Sequence, residues 1–273
     1  MTRSLFRYYG GKWRVAPWIV SHFPEHRIYI EPFGGAGSVL FRKPKSYAEL
    51  FNDLNHEIVN LFRILQDDVK KKNLQEKLSL TPFARMEYDN AFIPSDDEIE
   101  NARRFLIRAG MGYHADSVIA KNYKSGFRTD FRRKHSLPAH NWASYPGYID
   151  IFADRLAGVI IENMDAFALI EKHKDDSNIL WYLDPPYPHD TRTQANKHKY
   201  AYELTDEQHR LLIDLLQQIR GMVIISSYDN PIYTELEKSG WKKESRTYRN
   251  NTYQSGARTE CIWINQECLK EGI

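Results

Sequence analysis

The sequence has 273 residues, of which 42% are hydrophobic and 27% are charged. This composition supports a sizeable core, and no apolar run approaches the length of a membrane span, which excludes a disordered chain and argues against a membrane-crossing helix. Because the formal net charge is only +2, any binding of nucleic acid must come from local patches.

The two cysteines and the N-terminal segment bear on the compartment. Cys261 and Cys268 form neither a metal-binding pair nor a disulfide framework. Residues 1–7 lack the apolar region of a signal peptide. We therefore expect a cytoplasmic protein without a metal site.

The first informative stretch is residues 7–12, which contain Gly10-Gly11 followed by Lys12. Two glycines let the backbone approach a ligand closely, and Lys12 places a cation beside them. A plain turn before a helix, expected over about residues 14–22, explains the same glycines.

A strand predicted over residues 27–30 runs into the segment EPFGGAGS, residues 31–38. A strand, a glycine-rich turn and a helix start form the layout of a nucleotide-type cofactor site in an open α/β sheet. The glycine spacing matches neither the dinucleotide fingerprint nor a P-loop.

A second strand, residues 48–51, ends just before Asp53. Asp53 lies about twenty residues past Phe33, the offset at which an acidic residue meets the ribose hydroxyls of a cofactor. The alternative role for Asp53 is the N-cap of the following helix. Asn55 is an equally good cap, which would leave Asp53 for a ligand.

The α/β alternation stops over residues 67–146, where a helix is predicted at 97–109. Residues 121–135 carry six Lys or Arg against the single Asp130, interleaved with aromatic residues. This pattern suits phosphate contacts and base stacking, although a solvated loop would show it too. Arg128 is the better candidate for a base contact, because arginine pairs bidentately with guanine. The candidate DNA-binding residues are Arg7, Lys121, Lys124, Arg128, Arg132, Arg133 and Lys134.

Alternation resumes after residue 147. A helix is predicted at 149–156, strands at 158–162, 179–183 and 222–226, and a final hairpin from 241–248 and 258–265. A capping box at 205–208 begins another helix, which is expected to end at Gly221 and to bury Leu211, Leu212, Leu215, Leu216 and Ile219. Near-continuous apolar strands between helices indicate a parallel sheet covered on both faces.

The most informative stretch is Asp184-Pro185-Pro186-Tyr187, which follows the apolar strand 179–183. Because of the prolines, the carbonyls of Asp184 and Pro185 stay free of helical bonding. The motif thus offers acceptors for an amino group and a ring for a flat base, as chemistry on an extruded nucleobase requires. A proline turn that happens to begin with Asp is the alternative.

Together, Gly10-Gly11-Lys12, the segment 31–38 and the motif 184–187 resemble the Dam-like D12 class of adenine-specific DNA methyltransferases, in the same order along the chain. The resemblance implies a Rossmann-like, S-adenosylmethionine-dependent sheet of seven strands with a reversed final hairpin. It implies a catalytic domain of residues 1–66 and 147–273, and an inserted, mainly helical target-recognition subdomain of residues 67–146.

The resemblance also implies roles for individual residues. Asp184 and the Pro185 carbonyl would accept the hydrogens of the target amino group, with Pro186 completing the motif and Tyr187 stacking on the flipped base. Asp53 would bind the ribose, and Asp165 and Phe167 would flank the adenine of the cofactor. The cofactor-binding residues would be Tyr8, Lys12, Phe33, Gly34, Gly35, Gly37, Ser38, Asp53, Asp165, Phe167 and Asp184.

The implied function is site-specific methylation of the 6-amino group of a flipped-out adenine in double-stranded DNA, with S-adenosylmethionine as donor and without metal or membrane. A separately acting cognate restriction endonuclease is a partner that the resemblance allows. The Arg-Tyr-Asn stretch of family members that read GATC has no counterpart here, so the recognition sequence stays open. The alternatives are amino-methylation of cytosine or RNA, and a catalytically silent DNA-binding relative.

Overall fold

The computed structural model describes residues 1–113, 125–131, 137–188, 202–249 and 257–270. The strands in these ranges are β1 (Ile28–Glu31), β2 (Ala48–Asn52), β3 (Val159–Glu162), β4 (Ile179–Leu183), β5 (Met222–Ser227), β6 (Lys242–Arg249) and β7 (Ala257–Ile264). The helices are α1 (Ala16–Val20), α2 (His56–Gln66), α3 (Asp68–Ser79), α4 (Arg85–Asn90), α5 (Glu98–Met111), α6 (Pro138–Ala143), α7 (Ile149–Leu156), α8 (Ala166–His173), α9 (Asp206–Leu216), α10 (Thr234–Lys238) and α11 (Gln266–Lys270).

The strands form one seven-stranded sheet in the order β3-β2-β1-β4-β5-β7-β6. The first five strands are parallel, and β7 runs antiparallel to both of its neighbours. The predicted α/β sheet with a reversed final hairpin is confirmed. The strand order reverses at β1 and β4, and ligands of such sheets bind beyond the carboxyl ends of the strands at this point.

Burial on both faces explains the continuous apolar run of β4. Leu180 and Tyr182 pack into one core, while Ile179, Trp181 and Leu183 pack into the core on the opposite face. All five residues are buried. A strand covered on both sides has no position at which a charged side chain could reach water, so the first charged group appears where this strand ends, at Asp184.

Helix α9 confirms one prediction and corrects two. Its capping box is present, with Thr205 and Gln208 bonded reciprocally. The helix ends at Leu216, however, and Gly221 does not close it. Gly221 lies before β5, where a Cβ atom would come within 2.5 Å of the Ile179 carbonyl oxygen, so close approach to β4 requires glycine there. Leu211 is 60% exposed rather than buried, because it lies on the outer side of α9.

Two further expectations of local structure were wrong. Residues 38–43 form successive turns instead of a helix start. The chain near Pro138, where the sequence predicted no helix or strand, forms α6.

The helices of the region 67–146 share a core with the sheet. Leu74 of α3 and Phe105 of α5 belong to the same buried cluster as Phe62 of α2. The domain boundaries at residues 66 and 147 stay a prediction. None of the helices in the described ranges has both the length and the apolar character needed to cross a membrane.

A buried ion cluster joins β2 to α7. Glu49 accepts hydrogen bonds from Lys43 Nζ at 2.6 Å and from both terminal nitrogens of Arg155 at 2.6 and 2.9 Å. Burial alone would raise the pKa of Glu49, but the hydrogen bonds from Arg155 and Lys43 outweigh it and lower this pKa. All three side chains are at most 9% exposed, so the two cations depend on Glu49 for neutralisation.

We expect Glu49→Ala to lower the free energy of unfolding by about 3–5 kcal/mol, because it leaves two buried cations without a counter-charge. Urea denaturation measures the change. The matched control is Glu235→Ala, which breaks the exposed pair with Lys238 and should cost less than about 0.5 kcal/mol. Equal losses in the two variants would contradict the role of the cluster.

Candidate active site

A cavity of about 320 Å³ lies where the parallel strands end. The segments that follow β1, β2, β3 and β4 all contribute to its wall, together with residues 8–12 and 202–204. Its volume falls within the roughly 300–1,000 Å³ of small-molecule sites.

Asn52, the last residue of β2, fixes the neighbouring strand ends. Its Nδ2 donates to the Pro32 carbonyl at 2.9 Å and to the Met164 carbonyl at 3.0 Å. Its Oδ1 accepts from the Met164 backbone N–H at 2.9 Å. One buried amide therefore holds the segments after β1 and β3 against the end of β2.

The glycine-rich turn is shaped by close contacts. A Cβ atom on Gly34 would lie 2.0 Å from Phe51 Cε2, so only glycine fits between β2 and the cavity. Gly35 has a φ of +51°, in the left-handed region that favours glycine. Its N–H donates to Asp53 Oδ2 at 2.7 Å, which couples the turn to the acidic side chain.

Asp53 lies in the cavity wall and does not cap α2. Its Oδ1 accepts from the Asn55 N–H at 2.7 Å, while Asn55 itself caps the helix by accepting from the Glu57 N–H at 3.0 Å. Burial raises the pKa of Asp53 to about 6, with the two backbone hydrogen bonds opposing the shift. Each carboxylate oxygen retains capacity to accept a further hydrogen bond from a ligand.

The remaining wall is mainly apolar, formed by Phe33, Met164, Phe167 and Leu204. Ser38 Oγ is buried in it without a hydrogen-bond partner among the described residues. A largely apolar slot that presents the Asp53 carboxylate and the Ser38 hydroxyl suits a ligand that combines a flat base with hydroxyl groups.

Asp184 follows β4 at the other end of the cavity. Its Oδ1 accepts from Ser226 Oγ at 2.9 Å and lies 3.0 Å from Lys12 Nζ. Tyr182 contacts the same Ser226 hydroxyl at 3.0 Å. The side chain of Asp184 is 19% exposed, so the carboxylate is oriented by these groups yet open to the cavity.

Tyr187 packs beside this carboxylate. Lys12 Nζ lies 4.4 Å from the centroid of its ring, and the ring of Tyr228 meets it edge to face at 4.7 Å. The Tyr187 hydroxyl donates to Glu260. Burial, and then the carboxylates of Asp184 and Glu260, raise the pKa of Tyr187 well above its ordinary value, so its hydroxyl remains a neutral donor.

A family model of the D12 class N6 adenine-specific DNA methyltransferase matches residues 8–254. The chain belongs to this family. The methyltransferase is 26% identical over 239 residues to a DNA adenine methylase of Vibrio cholerae serotype O1, covering 83% of this chain and 82% of the relative.

Two further relatives extend the comparison. A DNA adenine methylase of Escherichia coli strain K12 is 24% identical over 241 residues, covering 85% of this chain and 83% of the relative. The DNA N-6-adenine-methyltransferase of Escherichia phage P1 is 39% identical over 256 residues. That alignment covers 89% of this chain and 32% of the phage protein.

The structure of the methyltransferase brings most of the predicted site residues together. Gly37 lies behind the turn, where a Cβ atom would meet Phe41 Cε2 at 2.9 Å. Asp165 also caps α8, since it accepts from the Ala168 N–H at 3.1 Å. The predicted residues that line the cavity are Tyr8, Lys12, Phe33, Gly34, Gly35, Ser38, Asp53, Asp165, Phe167, Asp184 and Pro186.

The candidate DNA contacts are placed only in part. Arg7 donates to the carbonyls of Gly112 and Tyr113 at 2.9 and 3.0 Å, so it ties the N-terminal segment to the end of α5. Arg128 is only 7% exposed and lines a separate cavity beside the N-terminal segment. Their contacts with DNA stay predictions. Lys121, Lys124, Arg132, Arg133 and Lys134 lie outside the described residues.

Sequence reasoning missed three residues of the site: Glu31, Ser226 and Glu260. Glu31 accepts from the Tyr29 hydroxyl at 2.9 Å and the Leu40 N–H at 3.2 Å, and burial raises its pKa to about 8. The position of Glu31 directly before the glycine turn was an available signal. Among described residues, no group of three or more His, Cys, Asp or Glu is arranged to hold a metal ion.

We expect the stability of the ligand-free enzyme to carry a pH dependence from Asp53. The pKa of Asp53 is about 6 in the folded state against an ordinary value of 3.8, so the folded state binds more protons between these pH values. Its contribution to the free energy of unfolding should therefore fall by up to roughly 3 kcal/mol as pH rises through this window.

Asp53→Asn removes the titration. In urea denaturation, the stability of this variant relative to the parent should rise between pH 4 and pH 7. The control Asp96→Asn, at an exposed site, should keep a constant difference from the parent. A difference between Asp53→Asn and the parent that does not change with pH would contradict the raised pKa.

Proposed function

We propose that the enzyme transfers a methyl group from S-adenosylmethionine to the 6-amino group of an adenine that leaves double-stranded DNA and enters the space beside Asp184 and Tyr187. One observation carries the proposal. The Asp184 carboxylate, oriented by Ser226 and Lys12, lies at one end of a largely apolar cavity, so a cofactor in the cavity and a target base beside Asp184 would meet at the end of β4.

The residues of the cavity fit S-adenosylmethionine. Asp53 would accept from the ribose hydroxyls, the buried Ser38 hydroxyl would gain a partner, and Phe33 and Phe167 would enclose the adenine ring. The close packing at Gly34 leaves backbone, and no side chain, next to the ligand. When bound, the cofactor supplies a methyl group on a positively charged sulfur.

The motif 184–187 orients the target amino group. The backbone after Leu183 forms no regular structure, and neither Pro185 nor Pro186 has an N–H to donate. The Asp184 carboxylate and the Pro185 carbonyl would each accept one amino hydrogen, so that the nitrogen lone pair faces the cavity. Such positioning lowers the barrier by removing the entropy cost of alignment.

Electrostatics support the same roles. Positive charge develops on the amino nitrogen as it bonds to the methyl carbon, and the nearby Asp184 carboxylate stabilises that charge. Burial of Tyr187 excludes water from one side of the site. Its ring offers the target base an aromatic surface for stacking.

We expect Asp184→Ala to reduce turnover by about two or more orders of magnitude, because the amine loses its orientation and its charge partner. The assay follows tritiated methyl groups into DNA and separates the nucleosides after digestion. The labelled product should be N6-methyl-2′-deoxyadenosine.

The matched control is Asp229→Ala, which removes an exposed carboxylate that pairs with Lys243 beyond the end of β5. Its turnover should stay close to that of the parent. Near-parent turnover in Asp184→Ala would overturn the assignment of the site, and a labelled cytosine product would overturn the choice of target base.

A further inference from the structure

Glu260 is a buried acid that the proposed function does not use. It is 1% exposed, and the residues after it in β7, Cys261 to Ile264, are apolar and at most 1% exposed. Burying a carboxylate in such surroundings costs free energy unless it is paired. Its polar contacts with other described residues therefore indicate why it is there.

The reversed direction of β7 brings Glu260 to the site. Cys261 pairs with Ser227 at the carboxyl end of β5, so Glu260, one residue earlier, lies beyond that end. A strand running parallel to β5 would place its first residues at the opposite edge of the sheet. The antiparallel hairpin thus delivers a side chain from the C-terminal part of the chain to the edge that holds Asp184.

The two contacts of Glu260 both reach residues of the site. Its Oε1 accepts from the Tyr187 hydroxyl and lies 3.5 Å from Lys12 Nζ. Lys12 Nζ is 3.0 Å from Asp184 Oδ1, so the ammonium lies between two carboxylates from different strands. Glu260 thereby links the aromatic ring, the cation and, through that cation, Asp184.

This arrangement bears on how Asp184 can receive an amino group. Its Oδ1 is already contacted by Ser226 and Lys12, and Lys12 lies over the face of the Tyr187 ring. An incoming base needs both the carboxylate and an open ring face. Glu260 provides a second anion for Lys12, with its Oε1 3.5 Å from the Lys12 Nζ. The ammonium can therefore move from Asp184 towards Glu260 without losing its ion pair.

We propose that Glu260 is a positioning residue for methyl transfer, which fixes the Tyr187 ring through its hydroxyl and holds Lys12 when the target amino group takes its place at Asp184. The proposal rests on the proposed function. Glu260 itself touches neither the target base nor the methyl donor, and it acts through Tyr187 and Lys12.

The test uses the full-length enzyme with Glu260→Gln, Glu260→Ala, Tyr187→Phe and the double variant Tyr187→Phe/Glu260→Ala. Glutamine keeps an acceptor for the Tyr187 hydroxyl and removes the charge that holds Lys12. Alanine removes both. The measurements are kcat, KM for DNA, S-adenosylmethionine affinity by calorimetry, and fluorescence of 2-aminopurine at the target position as a readout of base extrusion.

We expect kcat to fall by about 3–10-fold in Glu260→Gln and about 10–100-fold in Glu260→Ala, with the affinity for S-adenosylmethionine within about twofold of the parent. The fluorescence increase on binding should be smaller in both. Because part of the effect passes through the hydroxyl, the loss in the double variant should be smaller than the product of the losses in the two single variants.

A merely structural role gives a different pattern. If kcat per folded molecule and the fluorescence match the parent in both Glu260 variants, or if the losses multiply in the double variant, the proposal is overturned. The isosteric Glu260→Gln covers the case in which alanine prevents folding. A control, Glu244→Gln on β6, should behave like the parent.

A parent enzyme that makes no methyladenine overturns the proposed function and this role together, whereas an active parent with unaffected Glu260 variants overturns this role alone.

Discussion

The site depends on one ammonium group between two carboxylates. Lys12, from the N-terminal segment, contacts Asp184 after β4 and Glu260 of β7. Buried like charges repel one another, and the ammonium of Lys12 offsets the repulsion between these two acids. The same ammonium lies over the ring of Tyr187, which joins the aromatic part of the site to its electrostatics.

The sheet places these charges at the edge where its parallel strands end. β4 is buried on both faces, so the first charged side chain, Asp184, appears where the strand stops. The reversal of strand order at β1 and β4 opens a crevice at that edge, and Asn52 holds the segments that line it. The glycine turn then lets backbone approach a cofactor where any side chain would collide with Phe51.

The sequence predicted what depends on local pattern. The apolar strands, their order of appearance and Asp184 at the end of β4 follow from short stretches, whereas the choice between Asp53 and Asn55 as the cap of α2 needed the structure. Glu260 could not be found in this way, because its role depends on the reversed direction of β7 and on contacts with residues far away in the chain. Leu211 was misassigned because a helical stripe of leucines does not show where the buried face ends. The positions of the basic side chains around Arg128 could not be predicted, because a pattern of charged and aromatic residues does not fix where each side chain lies.

A crystal structure with double-stranded DNA and a non-transferring analogue of the methyl donor tests most directly whether the target adenine enters the space beside Asp184. The predicted result is an extruded adenine whose amino nitrogen lies within hydrogen-bonding distance, about 2.7–3.2 Å, of both the Asp184 carboxylate and the Pro185 carbonyl. The analogue should occupy the cavity lined by Asp53 and Phe167. An adenine held elsewhere, or an analogue bound outside this cavity, would contradict the account.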